Sequence, residues 1–251
     1  MNNINESIYG LIGKNISYSF SKDYFTKKFS KLNLYNIAYK NFDIKDIEDL
    51  TLVLNDNIEH LKGLNVTIPY KEKVFKYLDE IDETAQKIGA VNTIKILDGY
   101  RLKGYNTDVY GFKESLSPLL LKHHKNALIL GTGGASKAIA YALDELQISF
   151  QFVSRNPKNK QTISYDDITD EVMKNNHIII NCTPLGTFPN IENFPEIPYQ
   201  FITQYHLLYD LIYNPEETIF LKKGKEKSAI IKNGLEMLEI QAEKAWEIWN
   251  F

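Results

Sequence analysis

The chain has 251 residues, 29 Lys+Arg against 32 Asp+Glu and a formal charge of −3, and it is 43% hydrophobic and 24% charged. That composition argues against a disordered, collagenous or disulfide-scaffold protein, and the near-neutral balance argues against broad nucleic-acid binding. The one cysteine, Cys182, forms no internal disulfide, as in a cytoplasmic protein, while the absence of an apolar run of roughly 18 residues and an opening, MNNINESIYG, without basic and apolar regions indicate neither membrane insertion nor secretion.

In chain order, Ser7 to Ile12 reads as a short buried strand ending at Gly13. Tyr24, Phe25, Phe29 and Leu32 then recur at helical spacing over Lys22 to Leu32. A strand at Tyr35 to Tyr39, a helix at Ile44 to Leu54 and a strand at Gly63 to Ile68 continue the alternation, which is that of an α/β protein. Ala90 to Leu97 and Tyr100 to Tyr105 flank Asp98-Gly99, a hairpin signal that predicts one antiparallel pair in a mixed sheet. A helix begins at Asp108, and Lys122 to Lys125 reads as a connector with His123-His124 in solvent.

A second alternation follows. Strands are expected at Asn126 to Leu130, Ser149 to Ser154, His177 to Asn181, Leu207 to Leu211 and Ala229 to Ile231, about five in all. Helices fall at Ser136 to Leu146, Asp167 to Asn175 and Thr218 to Lys225, so the half reads as a doubly wound, mostly parallel sheet. The final helix, Gly234 to Asn250, puts Leu235, Leu238, Ala242, Ala245, Trp246 and Trp249 on one stripe that needs an apolar partner.

Gly131-Thr132-Gly133-Gly134-Ala135-Ser136 lies between an apolar strand and an alanine-rich helix. Glycines let backbone approach a pyrophosphate, and a helix N-terminus offers it free N–H groups. A tight βα turn without ligand is the alternative. The next strand ends Ser154-Arg155-Asn156 with no acid to bond a ribose 2′-hydroxyl. The chain has two arginines, Arg101 and Arg155, and one of them stands here, where a guanidinium fork suits a 2′-phosphate and hence NADP. Asn181-Cys182-Thr183-Pro184-Leu185-Gly186 is expected at the carboxyl edge of the same sheet, with Cys182 as a small buried packing residue. The five histidines show no metal-ligand spacing, and no metal is expected.

In the first half, Ser19, Ser21, Lys71 and Asp108 stand where packing does not require polar groups. By spacing alone Ser21 reads as a helix N-cap, Lys71 as a solvated first-turn lysine and Asp108 as an N-cap.

Together these segments resemble the shikimate dehydrogenase family. The family's opening isoleucine, histidine-serine-x-serine-proline resembles Ile16-Ser17-Tyr18-Ser19-Phe20-Ser21-Lys22, with Tyr18 for the histidine and Lys22 for the proline. Asn65 to Lys71, Gly89-Ala90-Val91-Asn92-Thr93 and Gly104-x-Asn106-Thr107-Asp108-x-x-Gly111 match with every defining residue. So do the glycine loop Gly131 to Ser136, Asn181-x-Thr183-Pro184-x-Gly186, Asp210-x-x-Tyr213-x-Pro215-x-x-Thr218 and Asn233-Gly234-Leu235-x-Met237-Leu238-x-x-Gln241-Ala242. Ser154-Arg155-Asn156 replaces the usual asparagine-arginine-threonine, and Thr187 a common methionine.

The resemblance implies reversible reduction of 3-dehydroshikimate to shikimate by NADPH, a step towards chorismate and the aromatic amino acids. Lys71 is implied as general acid and base, paired with Asp108. Ser19, Ser21 and Thr67 are implied for the substrate carboxylate, Asn92, Asp108 and Gln241 for its hydroxyls, and Tyr213 as a further contact. Gly131, Gly133, Gly134, Ala135, Ser154, Arg155, Thr183 and Gly234 are implied for NADP. Gln241 shares a helical face with Met237 and Leu238, so it is expected to turn inward and to bring the last helix back to the substrate half. The expected architecture is therefore two α/β lobes with a cleft between them. A mixed-sheet substrate domain comprises residues 1–107 plus 233–251, and a Rossmann-type NADP domain residues 108–232. A small-molecule substrate, a cytoplasmic monomer or homodimer, and no nucleic-acid or membrane partner complete the expectation. The alternatives are a quinate or dual quinate/shikimate dehydrogenase, a catalytically silent nucleotide or metabolite sensor, and a protein sharing the Rossmann half alone.

Overall fold

The structure, a computed structural model, describes residues 7–16, 19–157 and 159–251. Ser17 and Tyr18 of the opening signature lie outside the described residues, as do residues 1–6 of the opening stretch read for a signal. The chain divides into two compact units, Met1–Thr107 with Ala242–Phe251, and Asp108–Gln241.

The first unit contains β1 (Ser7–Gly13), α1 (Phe20–Lys31), β2 (Ile37–Asp43), α2 (Leu50–Asn57), β3 (Leu61–Val66), β4 (Glu80–Ile81), α3 (Glu83–Ile88), β5 (Thr93–Ile96) and β6 (Leu102–Tyr105). Its sheet runs β2-β1-β3-β5-β6-β4. The β2-β1-β3 part is parallel, β5 is antiparallel to both β3 and β6, and β4 is parallel to β6. The expected mixed sheet is thus present, with β4 added.

Several local expectations shift. β2 begins two residues late and runs on to Asp43, because its ladder with β1 pairs Ser7 with Ile37 and Gly13 with Asp43, leaving Tyr35 outside and 82% exposed. The hairpin is real, but its loop is wider than Asp98-Gly99. The last β5–β6 pair is Ile96 with Leu102, and both Gly99 and Tyr100 take positive φ, 71° and 61°. Helix α3 has too little apolar periodicity to read from sequence. Its ends are set by local chemistry: the Asp82 side chain accepts from the Thr84 and Ala85 amides, and Gly89 closes it at φ 72°.

Alternation along β1 divides the apolar residues between two faces. Ile8 and Ile12 join Leu50, Leu64, Tyr70, Val74 and Ile94 in one cluster. Tyr9 and Leu11 join Phe25, Phe29 and Tyr39 in the other, together with Ala242, Ala245 and Trp249 from the end of the chain.

The second unit contains α4 (Asp108–Leu116), β7 (Asn126–Leu130), α5 (Gly134–Glu145), β8 (Ser149–Val153), β9 (Thr162–Ile163), α6 (Asp170–Asn175), β10 (Ile178–Asn181), β11 (Leu207–Asp210), α7 (Ile219–Lys225) and β12 (Ile230–Lys232). The last helix, α8 (Leu235–Asn250), starts here and ends in the first unit. The sheet order is β12-β11-β10-β7-β8-β9 and every pair is parallel. This is the doubly wound order, with its switch point between β7 and β10. The sixth strand, β9, is only two residues long and pairs with β8 through Phe152–Thr162 and Val153–Ile163, too short to leave a period in the sequence.

His123-His124 does not sit in solvent as expected. His124 is 3% exposed, its Nδ1 accepts the Leu121 amide at 3.0 Å, and the His123, His177 and His206 rings follow one another at 5.2 and 5.3 Å. Burial pushes the pKa values of His124, His177 and His206 down. On α8, Leu235 is 37% exposed, against expectation, and the buried stripe runs instead through Met237, Gln241, Ala242, Ala245 and Trp249.

Trp249 lies on β3 where Gly63 has no side chain, and a Cβ at residue 63 would collide with the indole. The indole Nε1–H donates to the Ile94 carbonyl at 3.0 Å. Gly63→Ala is therefore expected to dislodge Trp249 and cost about 2–3 kcal/mol of stability, read as a lower urea midpoint with loss of the buried-tryptophan fluorescence.

Candidate active site

The nucleotide end is built at the switch point. Gly131 follows β7 with φ 104°, which an L side chain rarely adopts, and a Cβ there would sit 3.2 Å from Thr183 Cγ2 in the loop after β10. Gly133 is the cap position of α5. No side chain caps that helix, and a Cβ on Gly133 would meet nothing within 4 Å. The first-turn amides of a 12-residue helix are thus presented beside open, glycine-lined backbone, which fits a pyrophosphate. Gly134 and Ala135 open the helix partly exposed. Ser136 stands where a glycine is usual and needs none of this surface. It is 1% exposed, and its hydroxyl donates to the Gly133 carbonyl at 2.6 Å.

At the end of β8, Ser154 is half-buried and Arg155 exposed. Ser154 Oγ accepts the Asn156 amide at 3.3 Å, shaping the turn. The Arg155 charge lies close enough to oppose the effect of burial on the Tyr165 phenol, whose pKa is raised.

After β10, Asn181 Oδ1 accepts both the amide and the hydroxyl of Thr183, at 3.0 and 2.7 Å. Asn181 Nδ2 donates to Asp210 Oδ1 at 3.0 Å. Asp210, at the end of β11, also accepts the Ile212 amide at 3.0 Å and the Thr218 hydroxyl at 2.6 Å. Asn181, Asp210 and Thr218 carry no role in the sequence reading, although an asparagine and an aspartate ending the apolar runs Ile-Ile-Ile and Leu-Leu-Tyr were the signal for one. Cys182 is partly exposed rather than buried. Its thiol itself is desolvated and faces the Asp210 charge, which pushes the pKa well up and keeps it protonated.

Two further residues of this unit are set by close packing. Gly234 donates its amide to the Ile212 carbonyl at 3.0 Å, and a Cβ there would run into the Leu211 backbone. Gly111 lets α4 approach α8 so closely that its Cβ would be 2.5 Å from the Met237 carbonyl oxygen and 3.0 Å from Gln241 Cβ. Asp108, 7% exposed at the start of α4, and Gln241, 6% exposed on α8, belong to these two helices. The inward turn of Gln241 is as expected, and its Nε2 donates to the Leu238 carbonyl at 2.9 Å. Tyr213 is 36% exposed, with partial burial raising its phenol pKa.

In the first unit the cap position of α1 is Ser19, not Ser21, and it makes no capping bond. Its Oγ is buried without a hydrogen-bond partner among the described residues. Ser21, 8% exposed in the first turn, hydrogen-bonds the Tyr39 phenol. Tyr39 Oη donates to Asn65 Oδ1 at 2.7 Å and Asn65 Nδ2 to Thr93 Oγ1 at 3.3 Å. Thr93 Oγ1 donates to Asn92 Oδ1 at 3.1 Å, and Asn92 exchanges bonds with Thr107, accepting its amide at 2.7 Å and donating to its hydroxyl at 3.0 Å. Ser21 and Asn92, far apart in sequence, are thereby ends of one buried polar chain, and Tyr39 is the member that sequence reasoning missed. A tyrosine in an alternating strand signals packing, and its hydroxyl partner lies on another strand. Thr67 and Lys71 are both partly exposed beyond β3. The Thr67 amide donates to the Ile12 carbonyl at 2.9 Å and the Lys71 carbonyl accepts the Val91 amide at 2.8 Å, so backbone bonds from β1 and from the Asn92 segment hold both.

Residues 11–94 match the family described as the shikimate dehydrogenase substrate binding domain. A Clostridium beijerinckii protein named shikimate dehydrogenase (NADP(+)) is 41% identical over 251 residues, covering 96% of this chain and 91% of its own. Among solved structures, a shikimate dehydrogenase in complex with NADP+ superposes with a TM-score of 0.86 at 35% identity, covering 100% of this chain and 92% of its own. The Thermus thermophilus shikimate 5-dehydrogenase, solved in complex with NADP(H) and shikimate, gives 0.85 at 29% identity, covering 97% and 93%.

Burial pushes the Asp210 carboxyl up from an ordinary 3.8 to about 6, against the three hydrogen bonds that favour its charged form. A carboxyl raised on folding contributes its full stability below the unfolded value and loses it as pH rises through the folded one. Relative to Asp210→Asn, which does not titrate, the protein is expected to lose about 2 kcal/mol of stability between pH 4 and pH 7, measured by urea unfolding of both at each pH.

Proposed function

Because the chain belongs to the shikimate dehydrogenase family, we propose that its residues divide the family's reaction as follows. The reaction is the reversible, NADP-dependent interconversion of 3-dehydroshikimate and shikimate, and the carrying observation is similarity along nearly the whole chain to a protein named for it, with Lys71 and Asp108 standing in the motifs that resemble the family's. NADPH, when bound, supplies the hydride to the ketone carbon.

Lys71 gives a proton to the oxygen that becomes the alcohol and takes it back in the reverse direction, a task suited to a positionable ammonium. Ser19, Ser21 and Thr67 hold the substrate carboxylate, a reading supported by the buried Ser19 hydroxyl, which has no hydrogen-bond partner among the described residues. Asn92, Asp108 and Gln241 read ring hydroxyls and Tyr213 adds a contact. These buried amide and carboxyl groups select a polyhydroxylated ring because an analogue lacking a hydroxyl leaves one of them unpaired.

Gly131, Gly133, Gly134 and Ala135 present the backbone for the pyrophosphate, with support from the uncapped first turn of α5. Ser154 and Arg155 take the 2′-phosphate, while Thr183 and Gly234 serve the rest of the cofactor. In this reading residues 1–107 with 233–251 form the substrate domain and 108–232 the NADP domain. The enzyme works in the cytoplasm as a monomer or homodimer. Among the described residues no helix is long and apolar enough to cross a membrane.

Following reduction of NADP+ and NAD+ with shikimate and with quinate tests the assignment: shikimate with NADP+ is expected to be fastest, and faster turnover of quinate would overturn it. Lys71→Met is expected to keep the shikimate KM within a few-fold and lower kcat by roughly 10²–10⁴-fold; near-normal turnover removes Lys71 from the chemistry. Arg155→Ala is expected to raise the NADPH KM roughly tenfold or more with little change for NADH, and equal effects on both cofactors reject the 2′-phosphate role.

A further inference from the structure

Asp210 is 0% exposed. An apolar side chain of the same shape would fill its place without the cost of burying a carboxylate, so what distinguishes it is the set of donors it holds. Those donors belong to two loops. Asn181 reaches it from the loop after β10 and grips Thr183 with its other end. The Ile212 amide reaches it from the segment that continues into Tyr213. The Thr218 hydroxyl closes that same segment, and Thr218 Oγ1 in turn accepts the Leu221 amide at 3.4 Å as the cap of α7. One buried carboxylate thus fastens the Thr183 loop, the Tyr213 segment and the start of α7 to each other.

We propose that Asp210 is a positioning residue of the reaction: touching neither substrate nor cofactor, it sets Thr183 through Asn181 and sets Tyr213 through its own loop, so that one group controls the grip on both ligands. This rests on Thr183 serving the cofactor and Tyr213 the substrate.

The geometry separates the variants. Asp210→Leu removes every acceptor. Asp210→Asn can keep an oxygen at the Oδ1 position for Asn181 and Ile212 and turn its amide towards Thr218, whose hydroxyl can accept. Asn181→Leu severs the cofactor arm and leaves the Ile212 and Thr218 bonds in place.

Steady-state kinetics with NADPH and 3-dehydroshikimate on the full chain test the proposal, with folding checked by urea midpoint. Asp210→Leu is expected to raise both KM values about tenfold, the factor that one lost bond to a charged group is worth, and Asp210→Asn to recover most of the loss. Asn181→Leu is expected to raise the NADPH KM about tenfold and leave the 3-dehydroshikimate KM within about twofold, a split that general loosening of the fold does not produce. Wild-type KM values in a folded Asp210→Leu overturn the proposal; should that variant not fold, an unchanged NADPH KM in Asn181→Leu overturns it. Thr183→Val and Tyr213→Phe separate this from the underlying reading. If neither moves its ligand's KM, the reading of those two residues fails, whereas if both do and the Asp210 and Asn181 variants do not, only the positioning role fails.

Discussion

A sheet with two apolar faces must be covered twice, and in the first unit that requirement organises the chain. One face is closed by residues between Ile8 and Leu102, around Leu50, Leu64, Tyr70 and Ile94. The other is closed by α1 and by the last ten residues, with Trp249 lying over Gly63 and tied to Ile94 by its indole N–H. Burial of a tryptophan is among the larger single contributions a side chain makes, and it is available only if the chain comes back. The second unit is therefore an insertion, entered at Asp108 and left at Gln241. The two residues proposed to read substrate hydroxyls from that unit are its first and its last, on helices that Gly111 allows to pack at backbone distance.

In the second unit the controlling feature is parallel order. With β7 and β10 adjacent and the helices running back on both sides, the carboxyl ends of the two strands release Gly131 and Thr183 beside each other. Glycine at 131 removes the side chain and supplies the positive φ, and the start of α5 supplies uncapped amides. The buried Asp210 then braces the loops after β10 and β11. It is an expensive brace, since its carboxyl pKa rises to about 6 in spite of three donors. Its counterpart in the first unit is neutral, the chain from Ser21 through Tyr39, Asn65 and Thr93 to Asn92 and Thr107, where every link pairs a buried donor with a buried acceptor.

Elements with strong periods were legible beforehand. The apolar runs of β1, β3, β7, β10 and β11 and the span of α8 stand within a residue or two of where their patterns put them, because burial of a whole strand or helix face leaves its period in the sequence. The elements that escaped, β4, α3 and β9, are two to six residues long, the strands held by ladder bonds to distant partners and α3 by local caps without an apolar period. The same limit applied at the site. Ser19, Ser21, Lys71, Asp108 and Arg155 stood out as polar residues that packing did not require. Tyr39 did not, since one hydroxyl on an aromatic strand residue leaves no mark in a pattern. The solvent-facing reading of His123-His124 failed for a related reason: Tyr205, His177 and His206, which enclose them, are more than fifty positions away.

The amino-acid sequence by itself determined the α/β class, the glycine loop between strand and helix, the arginine at the end of the second nucleotide strand and the family to which the chain belongs, because each of these is written in contiguous residues. Only the tertiary structure decided that Trp249 needs Gly63, that Ser19 rather than Ser21 takes the cap position, and that Asp210 joins Asn181 to Thr218. Those are contacts between positions from 8 to 186 residues apart. Which side chains meet across such distances depends on strand order and register, and a linear pattern does not contain them.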